Sequence, residues 1–198
     1  SSFTYKLHSS PALGKGFLCG FLGLLHAEIV KERLEKEFLL NVIATAPTVE
    51  YKIELIKGQT IYLHTPEDFP DPSMIKRILE PVMFTTIFTP ADSVGVVMQL
   101  TQEKRAEYIN LEYHREQAKF TYIIPLSEMI VDFFDKLKSA TSGYASLDYE
   151  FMEFRKGDLV RLDILLHSEV VDALSVIVHR DSAYAKGKGL TAKLQKAI

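Results

Sequence analysis

The sequence has little cysteine and no long apolar run. Cys19 is the single cysteine among 198 residues, so no disulfide can form within the chain, and this usage is typical of a reducing compartment. The most apolar stretch, residues 17–30, is interrupted by His26 and Glu28, which argues against a membrane-spanning helix there. The sequence does not open on a basic region followed by an apolar one, so it shows no secretion signal.

The chain also lacks a strong net charge. Its formal net charge is −3, which argues against a protein that coats nucleic acid over its whole surface. The charge is unevenly distributed, because residues 179–198 carry +4 (five Lys or Arg against one Asp), which leaves −7 on the remainder. A basic end on an acidic body indicates either a local contact with a polyanion or a solvated helix end, and charge alone leaves both open.

Motifs for nucleotide, metal and covalent chemistry are missing. A P-loop is excluded around Gly14-Lys15, because Ser9 stands at the position of its first glycine and Gly16 at that of its hydroxyl residue. The six histidines are scattered without ligand spacing, and no G-x-S-x-G elbow is present. We therefore predict no catalytic residue, no cofactor-binding residue and no metal ligand in this chain. Glu128, Asp132 and Asp135 are predicted to form the solvated edge of a helix.

One segment has the composition of an RNA contact. Lysine and arginine neutralise phosphates without reading base sequence, a tyrosine can stack on a base, and glycines 187 and 189 would let the backbone approach. The tyrosine could equally pack on its own domain. We predict that residues 179–198 form a loop that leads into a basic helix. The candidate RNA-binding residues are His179, Arg180, Tyr184, Lys186, Lys188 and Lys193.

The periodicity predicts two blocks of α+β structure. Residues 14–55 are typical of a glycine-broken strand, a core-facing helix that begins at Leu22, and a half-buried strand. Three prolines between His64 and Met74 mark a domain boundary or a long loop within one domain. Residues 80–151 then show strand, helix, strand, strand, helix and strand in order. This βαββαβ pattern is the ferredoxin-like split βαβ unit. Residues 160–178 predict two more strands.

The same residues carry a family resemblance. The run from Gly23 through His26, Glu28 and Ile29 to Arg33 resembles a third-domain motif of translational GTPases such as elongation factor G. The fuller run GFLCGFLGLLHAEIVKERLEKEF is more similar to the LepA branch of that family. The resemblance continues in order through ATAPTVEYKIEL, PLSEMIVDFFDKLKSATSGYASLDYEF, VDALSVIVHRD and AY-x-KGK. The chain departs from the usual LepA pattern at Leu18, at Ala27 and in the 114–118 hairpin.

The resemblance implies a set of domains. Residues 1–60 would be the later part of domain III, a partial ferredoxin-like domain without its first strand and helix. Residues 61–75 would be a Pro-rich linker, residues 76–156 a domain like domain V of elongation factor G, and residues 157–198 the start of a LepA-specific α/β domain. The fold class expected is therefore α+β.

The resemblance also implies a function. The parent protein would be a ribosome-dependent GTPase of translation elongation that acts in back-translocation or fidelity, with GTP and Mg in a domain that this chain lacks. The expected partners are rRNA, tRNA and ribosomal proteins near the stalk base. The chain would be a monomer in the bacterial cytoplasm or an organellar matrix, and the parent could associate peripherally with a membrane. The alternative is a stand-alone ferredoxin-like interaction module or a small enzyme unrelated to the ribosome.

Overall fold

The protein is described from a computed structural model. The structure describes residues 3–10, 14–21, 24–44, 48–171 and 174–197. Leu22 and Gly23, where the first helix and the family motif are predicted to begin, lie outside these residues. The chain divides into two compact units, unit 1 with residues 1–46, 65–72 and 158–198, and unit 2 with residues 47–64 and 73–157.

The described residues alternate between strands and short helices. The strands are β1 (Thr4–Ser10), β2 (Gly14–Gly20), β3 (Tyr51–Leu55), β4 (Thr60–Leu63), β5 (Ile75–Pro90), β6 (Glu107–His114), β7 (Gln117–Pro125), β8 (Ser146–Gly157), β9 (Leu159–Leu162), β10 (Leu165–Leu166), β11 (Glu169–Val170) and β12 (Val176–His179). The helices are α1 (Leu24–Glu37), α2 (Val94–Gln102), α3 (Leu126–Met129), α4 (Phe133–Ala140) and α5 (Arg180–Ala197).

Unit 2 is built on an antiparallel sheet whose longest strand is β5. The strands β8, β5, β7 and β6 lie side by side in that order, which is the order of a βαββαβ split unit. The hairpin of β3 and β4 extends the sheet, because β3 pairs with the first half of β5. The predicted α+β class and the predicted βαββαβ domain are both confirmed.

Alternation along the strands explains where the core of unit 2 sits. Ile87 on β5 and Phe120 on β7 point to the face that the helices cover, and both are fully buried. Phe133 and Leu137 of α4 pack against them from the other side. The helix predicted over residues 126–137 is interrupted, since Asp132 adopts a left-handed backbone conformation with φ of 62° between α3 and α4.

In unit 1, β1 and β2 form an antiparallel hairpin in which Leu7 lies opposite Phe17. The helix α1 follows at the predicted place, but its predicted core-facing stripe is largely wrong. Ile29 is 46% exposed and the following Phe38 is 64% exposed, and no described side chain of α1 is fully buried. An amphipathic pattern shows which face of a helix could be buried. That face is buried only where another part of the protein packs on it.

The structure groups residues 51–63 differently from the predicted domain ranges. β4 occupies residues 60–63, at the start of the predicted linker, and two 3-10 turns, Pro66–Asp68 and Pro72–Met74, follow it. The pairing of β3 with β5 places a strand of the predicted first domain in the sheet of unit 2. The four domain ranges therefore stay a prediction.

Within the described residues, no helix has the length and apolar character to cross a membrane.

Candidate nucleic-acid interface

Five of the six candidate RNA-binding residues lie on one helix, and the sixth, His179, is the last residue of the strand before it. β12 pairs antiparallel with β9, with His179 opposite Leu159, and α5 begins at the next residue, Arg180. The predicted loop at the start of this segment is wrong, because α5 runs without a break from Arg180 to Ala197 and includes both glycines. The glycines suggested flexibility, but each costs a helix only about 1 kcal/mol relative to alanine.

Arg180 ties the start of α5 to the residue before β9. Its backbone N–H donates to the carbonyl oxygen of Asp158 at 2.9 Å. Its guanidinium Nε lies 3.0 and 3.1 Å from the two carboxylate oxygens of the same residue. Arg180 therefore anchors the helix, and its charge is already paired with an anion.

His179 and Asp181 shape the first turn. The imidazole of His179 is only 18% exposed, its Nδ1 lies 3.4 Å from the backbone N–H of Asp181, and the Ser182 hydroxyl donates to the His179 carbonyl at 3.0 Å. A negative side chain such as Asp181 is favoured at a helix N-terminus, where the macrodipole is positive. His179 is thus a half-buried capping residue rather than an exposed one.

A second ion pair lies at the other end of the same strand pair. Arg161 donates from Nε to Asp163 at 2.7 Å, and the buried Ser175 hydroxyl donates to the same carboxylate oxygen at 2.7 Å. This cluster holds the chain on either side of the β9–β12 ladder. It completes a rigid base for α5.

The lysines of α5 project from two different flanks of the helix. Gly187 packs at the rear, where a Cβ would meet the Leu162 side chain at 3.6 Å. At about 100° per residue, Tyr184 and Lys188 share one flank with Arg180, while Lys186 and Lys193 lie together on a roughly opposite flank. The structure places five of the six predicted residues on one helix but not on one face, and the sixth, His179, ends β12.

Three exposed lysines of the set carry charge without an ion-pair partner among the described residues. Tyr184 is 82% exposed, and Lys186, Lys188 and Lys193 are exposed without an ion pair to any described residue. Such ammonium groups can approach phosphates without first breaking a salt bridge.

Unit 2 contains a charged cluster that the sequence did not reveal. Arg105 donates to both carboxylate oxygens of Glu80 at 2.7 and 2.9 Å and to Glu128 at 2.9 Å. Glu80 is 4% exposed and Glu128 is 9% exposed. The prediction that Glu128 lies on a solvated edge is therefore wrong. The available signal was Glu80 itself, a carboxylate within the apolar run of 78–83.

Burial and pairing shift the pKa values of Arg105 and of the nearby Tyr51. Burial alone would lower the pKa of Arg105, but its hydrogen bonds to Glu80 and Glu128 raise it instead, so the guanidinium stays charged. Burial, with the nearby Glu80 carboxylate, raises the pKa of Tyr51 to about 12. Arg105, Glu80 and Glu128 thus pair with one another inside unit 2, near a buried neutral phenol, which is the arrangement of a structural cluster rather than an acid–base pair.

The described residues were predicted to hold neither a metal ion nor a nucleotide. They contain no group of three or more His, Cys, Asp or Glu side chains that could hold a metal ion. The glycines near Lys15 lie in strand β2 and do not form a phosphate-binding loop before a helix. The residues present in this part of the chain do not fit GTP with Mg, so we derive no step through that group.

Comparison with known proteins agrees with this geometry. Residues 77–165, which contain most of the βαββαβ sheet, match the family model described as Elongation factor G C-terminus. This match and the strand order define unit 2 as a domain of the elongation factor G C-terminal class.

The whole chain aligns with curated proteins named Elongation factor 4. The protein of Acetivibrio thermocellus is 52% identical over 199 residues, which cover 100% of this chain and 33% of that protein. Proteins of Thermus thermophilus and of Mycoplasmopsis pulmonis are both 50% identical, with the same coverage. The chain belongs to the elongation factor 4 family, also called LepA, and spans about a third of the length of these relatives.

Proposed function

We propose that this chain is a ribosome-binding portion of a translation elongation GTPase and that α5 contacts RNA. The observation that carries the proposal is the set of exposed, unpaired lysines on a helix anchored by Arg180 and Asp158. The family supports the setting, since its members are named as elongation factors. Phosphate contacts by lysine give affinity without base specificity, as binding to a folded RNA surface requires.

The finer assignments belong to the same proposal. The parent protein would hydrolyse GTP with Mg in a domain outside this chain, and would act on elongating or stalled ribosomes in back-translocation or fidelity. Unit 2 would face rRNA and ribosomal proteins near the stalk base, and α5 would reach toward tRNA or rRNA. The bacterial origin of the relatives supports the cytoplasm as its location.

The test is co-sedimentation of the chain with ribosomes over a series of salt concentrations. Charge reversal by Lys186→Glu and Lys188→Glu should weaken binding and flatten its salt dependence, because the slope of log affinity against log salt falls by about 0.7–0.9 for each phosphate that is no longer neutralised. The matched control is Lys6→Glu with Lys15→Glu, which changes two exposed lysines of the β1–β2 hairpin by the same charge.

Two results would contradict a specific contact between α5 and RNA. Equal losses of affinity in both double variants would mean that only net charge matters, and unchanged binding of the Lys186/Lys188 variant at every salt concentration would remove α5 from the interface. Because Lys186 and Lys188 lie on different flanks, the single variants report which flank faces the RNA.

A further inference from the structure

The outer strand of unit 2 has an unused edge. Among the described residues, β8 pairs with β5 alone, so its other edge presents backbone N–H and C=O groups without strand partners. The ladder is regular from Ser146 to Phe151, opposite Phe88 to Met83, and its register shifts only beyond Phe151. A straight, unpaired stretch of this kind is a template for another strand.

The two faces of this stretch differ in chemistry. Tyr149 and Phe151 lie on one face and are 41% and 56% exposed. Asp148 and Glu150 lie on the other face, are exposed, and have no ion pair with any described residue. Alternation of acidic and aromatic side chains along an open edge specifies a complementary alternation in whatever pairs with it.

We propose that the edge of β8 over Ser146–Phe151 binds an extended strand of another protein in which basic and apolar side chains alternate. Main-chain hydrogen bonds to the free edge supply affinity. Cations of the bound strand lie against Asp148 and Glu150, and its apolar side chains cover Tyr149 and Phe151.

The charges argue against two other occupants. In a second copy paired antiparallel about Tyr149, Asp148 would face Glu150 of the copy, and like charges directly opposite each other destabilise a sheet. A nucleic acid would bring phosphates to the same two carboxylates. Acidic residues on an edge strand can also serve only to prevent its pairing with other strands. That role does not require Tyr149 and Phe151 to be exposed to solvent.

The outer strand β6 lacks these features. Its register shifts between Tyr108 and Asn110, which bends the edge and breaks the regular row of backbone groups. On its regular part, Glu112 is already paired with Lys119 at 3.7 Å. Of these two edges, β8 is the one whose backbone groups have no strand partner and whose acidic side chains have no ion pair among the described residues.

The experiment uses the full chain and a fluorescein-labelled heptapeptide that alternates lysine and valine. Fluorescence anisotropy should show saturable binding, and hydrogen exchange should show new protection at alternate amides of residues 146–151. Asp148→Lys with Glu150→Lys should weaken binding about tenfold, since two favourable cross-strand pairs become repulsive. Glu103→Lys with Glu116→Lys, which alters exposed acids of the same unit, should leave binding unchanged.

Two control peptides separate strand addition from charge attraction. One has the same composition with the lysines grouped, and the other is N-methylated along the edge that would donate to β8. Both should bind at least tenfold more weakly. Equal binding of either peptide, or absence of binding by the alternating one, would overturn the proposal. Concentration-dependent self-association with the same protected amides would replace the partner with a second copy.

Discussion

Two regions of the molecule handle charge in opposite ways. Around Arg105, two carboxylates are almost completely removed from water and are satisfied by one guanidinium. On α5, Lys186, Lys188 and Lys193 stand in water without an ion pair to the described residues. Buried charge is tolerated only when it is paired, and breaking such a pair costs folding stability. Exposed charge contributes little to stability, so its measurable effect is on binding.

This contrast tells us where substitutions should act. A change in the Arg105 cluster should alter the free energy of unfolding, whereas a change of the α5 lysines should alter only the proposed interaction with RNA. Arg180 lies between these cases, because its ion pair with Asp158 is exposed but fixes the position of a helix. The largest effect is expected in the buried cluster.

Arg105→Met should give the largest loss of stability. It leaves Glu80 and Glu128 buried without a cation, and breaking a buried pair in this way costs about 3–5 kcal/mol. Urea unfolding followed by circular dichroism would measure it. Adding Glu80→Gln to Arg105→Met should restore part of the loss, because one unpaired carboxylate is removed.

The matched control is Arg77→Met. Arg77 also makes a two-pronged contact with a glutamate, Glu54, at 2.7 and 2.9 Å, but its side chain is 48% exposed. We expect a much smaller loss of stability than for Arg105→Met. Comparable losses in the two variants would mean that burial does not distinguish these ion pairs, and the contrast between buried and exposed charge would fail.

The alkaline pH dependence of stability tests the same cluster through Tyr51. Its pKa is raised from an ordinary value of 10 to about 12, so the folded state favours the neutral phenol. The stabilisation of the folded state that follows from this preference is fully present below pH 10 and is lost as the pH rises through 12. Relative to Tyr51→Phe, the wild-type protein should lose about 2–3 kcal/mol between pH 9 and pH 12. A constant difference between the two proteins over that range would contradict the burial of an un-ionised Tyr51.

The sequence predicted the sheet of unit 2 well and the charged features poorly. The four strands predicted within residues 80–151 correspond to β5, β6, β7 and β8. The break at Asp132 was not predicted, since the apolar spacing of residues 126–137 continues through it. Hydrophobic periodicity reports which face is covered, and it does not report the backbone conformation of a single residue.

The candidate site shows the same limit of prediction from sequence patterns. Composition located the cationic segment but could not decide whether Arg180 and the lysines share a face, because a loop and a helix distribute the same residues differently. The partner of Arg105 is 25 residues away in sequence at Glu80 and 23 away at Glu128, distances that no local pattern records. Long-range ion pairs become visible only when the strand order is known.

The smallest expected effect concerns Gly189 of α5. A Cβ at this position would have no heavy atom within 4 Å, and the residue lies within a continuous helix, so Gly189→Ala should stabilise α5 by about 0.5–1 kcal/mol. Hydrogen exchange of the α5 amides would measure the change. Gly58→Ala, at φ of 85°, is the control and should destabilise the β3–β4 hairpin, because alanine is strained there. If Gly189→Ala instead loosens α5, the glycine is needed for a conformation other than this helix. If the variant is more stable but binds ribosomes less well, the missing side chain serves close approach to RNA rather than the fold.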